Sequence, residues 1–270
     1  MLGKLIKYDF KALNRYLIAI HAMLLVTAAI GRFLFIKRMM QNPGGLSDVG
    51  LIIMSIGIMI YVILFMTALF GTLMMIAIHF YKNIYSDEGY LTHTLPVTKG
   101  QLLISKTITG SVWMFADIVL ITLSILILVL YQPVIQEFML YKDDMLAAMG
   151  FPSSFGYGKI FLAVIWLLVV SAVSNVVMLY VSIAVGQLFS NHRVLGAIVA
   201  YFSINMIVSI ITGVIGVATG FSIFVGAADE TFLYQFYVKT YLVSMATTLI
   251  TAVGFYAVAY LLMKKKLNLS

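Results

Sequence analysis

Apolar residues fill the chain in six long runs, at about 16–36, 50–80, 102–131, 158–189, 194–226 and 238–262. Each reaches the roughly 20 residues that a helix needs to cross the hydrocarbon core of a bilayer. Such a run satisfies its own backbone hydrogen bonds in lipid, whereas barrel strands would alternate over about ten residues, so the pattern predicts helices. The expected fold is an all-α integral membrane protein: one transmembrane domain over 1–270 with six transmembrane helices. Composition agrees, since 63% of the 270 residues are hydrophobic and 10% charged, against about a quarter charged in a soluble domain. The mean hydropathy is +1.07.

Charge sets the expected orientation, because Lys and Arg near helix ends are retained in the cytoplasm. With both termini inside, the inner side holds Lys4, Lys7, Lys11, Arg15, Lys82, Lys99, Lys106, Arg193, Lys264, Lys265 and Lys266. The outer side holds Arg32, Lys37, Arg38, Lys142, Lys159 and Lys239, offset by Asp48, Glu137, Asp143, Asp144, Asp229 and Glu230. The basic amphipathic start is not followed by a short apolar core with a small-residue cleavage site, so it is expected to be retained rather than cleaved. There is no cysteine, hence no disulfide or thiolate site, and His21, His79, His93 and His192 lack the HExxH spacing of a metal site.

Three connections modify this outline. At 100° per residue Lys4, Lys7, Lys11 and Arg15 share a narrow arc opposite Leu2, Leu5, Ile6, Phe10 and Leu13. Residues 1–15 are therefore expected to form an interfacial amphipathic helix, cations toward anionic lipid, or else a basic flank orienting the first span. The outer loop 132–157 reads as one short amphipathic helix stopped by "GFPSSFG". The fifth run is too long for one untilted crossing, and its glycine-rich half, within 213–236, is a candidate re-entrant element, with one long tilted helix as the alternative. No internal repeat of the kind built into inverted-repeat transporters is visible.

The sharpest feature is the polar break "YKNIYSDEGYLTHTLPVTKGQ", within a cytoplasmic segment at 81–101. Ser86 or Asp87 can cap a short helix, Asp87 and Glu88 suit its positive dipole end, and Pro96 stops it. Tyr90, Leu91 and Leu95 form an apolar ridge on it, and Thr98 can cap the helix that follows. Glu88, Gly89, Tyr90, Leu91, Thr94, Leu95, Pro96, Val97, Thr98 and Lys106 resemble the segment after the second helix in membrane subunits of ATP-binding-cassette (ABC) exporters. More narrowly, they are similar to the type-2 permeases of Gram-positive bacteria that export peptides and antibiotics.

The resemblance covers about twenty residues in motif and the whole chain in architecture. It implies a coupling helix, formed by Asp87 to Thr98, that docks on a separate ATPase subunit holding ATP and Mg; this chain has no GxxxxGK[ST] loop and is not expected to be an enzyme by itself. It also implies a second membrane subunit, of the same or a different chain, location in the bacterial plasma membrane with no nucleic-acid partner, and outward movement of a hydrophobic or amphipathic peptide, antibiotic or lipid-like substrate. A non-transporting membrane partner, such as an assembly or sensor factor, is the alternative. An intramembrane enzyme would need a Ser and His, or a ligand cluster, at facing depths, and His21 and His79 sit in different spans with no matching motif.

Asp117 lies mid-span in the third run, and Asn175 and Asn205 lie near the centres of the fourth and fifth. An ionised carboxylate there costs about 2.5–3.5 kcal/mol on insertion scales, so Asp117 must face protein or water. These residues are either a polar lining for a substrate route or dimer-interface switch, or interhelical hydrogen-bond glue. Arg32 and Lys106 are expected to snorkel to the interface. Ser182 with Gly186, and Gly216 with Gly220, are small-residue pairs that permit close helix approach.

Overall fold

The computed structural model describes residues 1–36, 47–148, 150–151, 156–189, 191–226 and 232–265. Among them the chain is helical with no strand: α1 Leu2–Gly31, extended by a π-helical turn Arg32–Ile36, α2 Asp48–Tyr85, α3 Asp87–Thr94, α4 Lys99–Val129, α5 Gln132–Ala148, α6 Tyr157–Gly186, α7 Arg193–Gly226 and α8 Phe232–Lys265. Six of these, all but α3 and α5, are long and apolar enough to cross a membrane.

The N-terminal segment departs from the expectation. No separate interfacial helix occupies 1–15; Leu2–Gly31 is one uninterrupted helix. Neither proline nor glycine lies between Lys4 and Ile30 to kink it. Its contacts with α4 keep a nearly constant offset: Asp9 with Lys106, His21 with Asp117 and Arg32 with the Ile127 carbonyl are 97, 96 and 95 residues apart. The two helices therefore run side by side in the same direction. Lys4, Lys7, Lys11 and Arg15 remain exposed on the outer face of α1. Leu5 and Phe10, expected in the acyl boundary, pack instead on the bundle core.

Of the two readings of the glycine-rich stretch of α7, the structure shows the continuous helix through Gly226. A helical glycine costs about 1 kcal/mol against alanine, less than the several kcal/mol for each backbone group left unsatisfied in lipid. Residues 227–231 of the candidate re-entrant region lie outside the described residues, as do Lys37, Arg38, Asp229, Glu230, Lys266 and 152–155 of the "GFPSSFG" stop. The short outer helix is present as α5, which buries none of its residues.

One end of the bundle gathers the start of α1, the end of α2, all of α3, the start of α4 and the end of α8, where Lys99 Nζ donates to the Met263 carbonyl at 3.1 Å. Most of the core sits toward this end: Leu13 and Leu17 of α1, Phe80 and Ile84 of α2, Leu102 and Leu103 of α4, Tyr180 of α6 and Met263 of α8. Phe80 and Tyr180 stack with centroids 3.8 Å apart, and the Tyr180 hydroxyl donates to the Lys106 carbonyl at 2.9 Å. Without a hydrophobic drive between helices in lipid, such packing and polar contacts supply cohesion. The α6–α7 crossing shows how tight it is, since a Cβ on Gly186 would lie 2.5 Å from the Ala197 backbone nitrogen. Of the Gly216–Gly220 pair, open space surrounds Gly216, while a Cβ on Gly220 would lie 3.3 Å from the Phe236 ring of α8.

Candidate functional site

Helix α3 is held tightly at both sides. Only Ser86, in extended conformation, separates it from α2. Ser86 stands at the N-cap, yet its hydroxyl donates back to the Lys82 carbonyl at 2.6 Å, so neither it nor Asp87 caps through its side chain; the Gly89 amide bonds instead to the Ser86 carbonyl at 2.7 Å. Gly89 is buried where a Cβ would lie 2.7 Å from the Ile84 carbonyl oxygen, so the turn against α2 requires glycine. On the other side Leu95 and Pro96 end the helix, Val97 packs on the core, and Thr98 starts α4. Its hydroxyl accepts from the Gln101 amide at 3.2 Å while the Gln101 side chain accepts from the Thr98 amide at 3.1 Å. This reciprocal capping box fixes the entry into α4.

Between these anchors Asp87, Glu88, Tyr90, Leu91, Thr94, Leu95 and Pro96 are exposed. Tyr90 is 66% and Leu91 69% exposed, values that describe an apolar knob at a helix end rather than a packed loop. Of the ten residues expected to dock on a partner, eight are exposed, Thr98 among them although its hydroxyl caps α4, while Gly89 is buried and Val97 packs on the core.

Directly behind α3 lies a buried polar network absent from the sequence reading. Lys106 does not snorkel: it is 4% exposed and ion-paired with Asp9 of α1, while its Nζ also donates to Asn83 Oδ1 at 3.1 Å. The other Asp9 oxygen accepts from the Ser105 hydroxyl at 2.7 Å. His79 Nε2 lies 3.0 Å from Asp9 Oδ1 and 3.2 Å from Lys106 Nζ, and the Asn83 side-chain amide donates to the His79 carbonyl at 3.0 Å. One carboxylate thus ties α1 to both helices that flank α3. The signal was present in the sequence: Asp9 and His21 fall in the buried stripe Asp9, Leu13, Leu17, His21, Leu24 and Ala28, spaced by three or four residues.

The intramembrane polar residues divide into two places. Asp117 pairs with His21, whose Nδ1 donates to the Leu17 carbonyl at 2.7 Å and whose Nε2 faces Asp117 Oδ1 at 2.7 Å. The Thr72 hydroxyl donates to the same oxygen at 3.0 Å. Asp117 is a partnered link among α1, α2 and α4. Arg32 likewise does not reach outward: its guanidinium donates to the Ile127 carbonyl near the end of α4, where an α-helix has unsatisfied acceptors.

Asn175 and Asn205 share a different feature, a cleft between α6, α7 and α8 that they line together with Ser171, Ser174, Ser209, Thr212, Thr248 and Thr251. A second cleft, which shares Thr212 and Thr248, continues it past Thr247, Ser244 and Thr240. The lining residues of both carry no charge.

No protein-family model, no curated protein and no solved structure matches the chain.

Proposed function

We propose that the chain is the membrane subunit of an ATP-driven exporter, of the ABC type, in a bacterial plasma membrane. The observation that carries this reading is α3: an eight-residue helix presenting Tyr90, Leu91 and Leu95 to the exterior and clamped without slack between two spanning helices. A knob so placed can receive a push from another polypeptide and pass it to α2 and α4. The Asp9 to Lys106 network spreads that push to α1, which has no covalent link to α3.

The positive-inside rule puts this end in the cytoplasm, because Lys4, Lys7, Lys11, Arg15, Lys82, Lys99, Lys264 and Lys265 cluster there. Both termini are then cytoplasmic. ATP and Mg belong to a separate ATPase subunit, and the force it develops moves a hydrophobic or amphipathic substrate outward through a pair of membrane subunits. A neighbouring gene should encode an ABC ATPase, and co-expression of the chain with it tests the reading. The two should co-purify in detergent, and the ATPase should turn over ATP faster in the complex; no association with that ATPase would overturn it.

A further inference from the structure

The cation ladder on α1 has no partner within the bundle. Among the described residues the acid–base pairs are His21–Asp117, His79–Asp9 and Lys106–Asp9, and none of Lys4, Lys7, Lys11 and Arg15 makes an ion pair or a hydrogen bond. At 100° per residue Lys7 and Lys11 fall with Asn14 and Ile18 on the flank of α1 that borders α4 and turns away from α2. The register of 95 to 97 residues between the two helices sets Lys11 level with Ile108 and Arg15 level with Val112. Ile108, Val112 and Ile18 are all exposed. Cations and apolar side chains therefore share the walls of one groove between α1 and α4.

Hydrocarbon alone would not accept two unpaired ammonium groups, and water alone would gain nothing from the apolar wall beside them. Lys7 and Lys11 stand about 6 Å apart along the helix, at 1.5 Å per residue, so both can reach one phosphate diester. Acyl chains of the same molecule would run down over Val112 and Ile18 and on past Val119, which is exposed as well. Asn14 and Thr109, level with each other by the same register, each keep a buried oxygen without a hydrogen-bond partner, so the groove is polar at the depth of a lipid's ester zone. A zwitterionic headgroup would bring its own cation against the two lysines, and an anionic one would not. An acidic soluble protein could meet the lysines but could not follow the apolar walls into the bilayer.

We propose that the groove between α1 and α4 is a binding site for an anionic phospholipid, its phosphate held by Lys7 and Lys11 and its acyl chains laid along Val112 and Ile18. A lipid there clamps α1 to α4 from outside, on the same turns where Asp9 and Lys106 join them from within. The site does not depend on what docks on α3.

The test uses the purified full chain in lipid nanodiscs, with Val112→Trp as a fluorescent reporter read against the parent chain, whose own Trp113 and Trp166 supply the background. Dibrominated phosphatidylglycerol and dibrominated phosphatidylcholine are compared as quenchers, each at the same fraction of a mixture of the two unbrominated lipids. Phosphatidylglycerol should bind beside the reporter roughly thirtyfold more tightly, about fivefold from each lysine. The preference should vanish in the variant Lys7→Gln, Lys11→Gln and return in Lys7→Arg, Lys11→Arg, which keeps the charges and controls for misfolding. It should persist in Lys264→Gln, Lys265→Gln, which removes as many charges from the same end of the bundle at another place. Equal quenching by the two lipids, a preference unchanged in the Lys7, Lys11 Gln variant, or its loss in the Arg variant or in the Lys264, Lys265 variant would overturn the proposal. A Lys7, Lys11 Gln variant that keeps the lipid preference but loses the ATPase would assign these cations to a protein partner instead.

Discussion

Lys106→Met is expected to destabilise the chain by about 3–5 kcal/mol, because it leaves the Asp9 carboxylate buried without its cation. Asp9 would keep only the Ser105 hydroxyl and the His79 imidazole as partners. Thermal unfolding in detergent should show a midpoint lower by roughly 10 °C. The double variant Asp9→Leu, Lys106→Met removes both charges and should regain most of the loss, since exchanging a buried pair for apolar groups is often neutral or favourable. In the double variant the fold returns but the tie between α1 and the helices flanking α3 does not, so ATP turnover should stay uncoupled from export. A double variant as unstable as the single one would show that the network acts through something other than its charge balance.

Leu91→Asp combined with Leu95→Asp should abolish association with the ATPase, lowering affinity at least tenfold. The loss of two anchors at the centre of a small apolar patch costs more than about 1.4 kcal/mol. The bundle itself should be unaffected, because both side chains are exposed and surface substitutions of this kind shift stability by about 0.5 kcal/mol or less. The pair of measurements separates docking from folding: an unchanged thermal midpoint with lost co-purification is the expected outcome. Retained co-purification and retained stimulation of ATP turnover would place the docking surface elsewhere.

The parts of this structure that could be read from the sequence are those dictated by local physics. Six runs longer than the bilayer is thick left helices as the economical solution, and they appear as six helices able to span a membrane. The break after the second run was legible because Pro96 and Thr98 act on their immediate neighbours, stopping one helix and starting the next. What the sequence hid was pairing over distance. Lys106 lies seven residues beyond the start of α4, where a long side chain can ordinarily reach the interface; the partner that holds it inside is Asp9, 97 residues away. Asp9 in turn sat among four cations that suggested a lipid-facing ribbon, although its wheel position matches Leu13 and Leu17. The same basic residues suggested a helix lying along the interface, whereas the contacts from Asp9 to Arg32 hold α1 alongside α4 in the bundle. Asn175 and Asn205 were visible as polar residues at depth, but that they meet in one cleft, apart from Asp117, depends on how α6 and α7 are rotated against each other. No periodicity in either helix carries that information.

The central claim, that α3 receives force on the cytoplasmic side, is open to one direct measurement. The chain contains no cysteine, so Leu91→Cys supplies a single thiol whose reaction with a membrane-impermeant maleimide can be timed in intact cells and in inside-out vesicles. The account predicts no labelling in intact cells, rapid labelling in vesicles stripped of the ATPase, and at least tenfold slower labelling once the ATPase is added back. Labelling of the thiol from the outside of intact cells would contradict it.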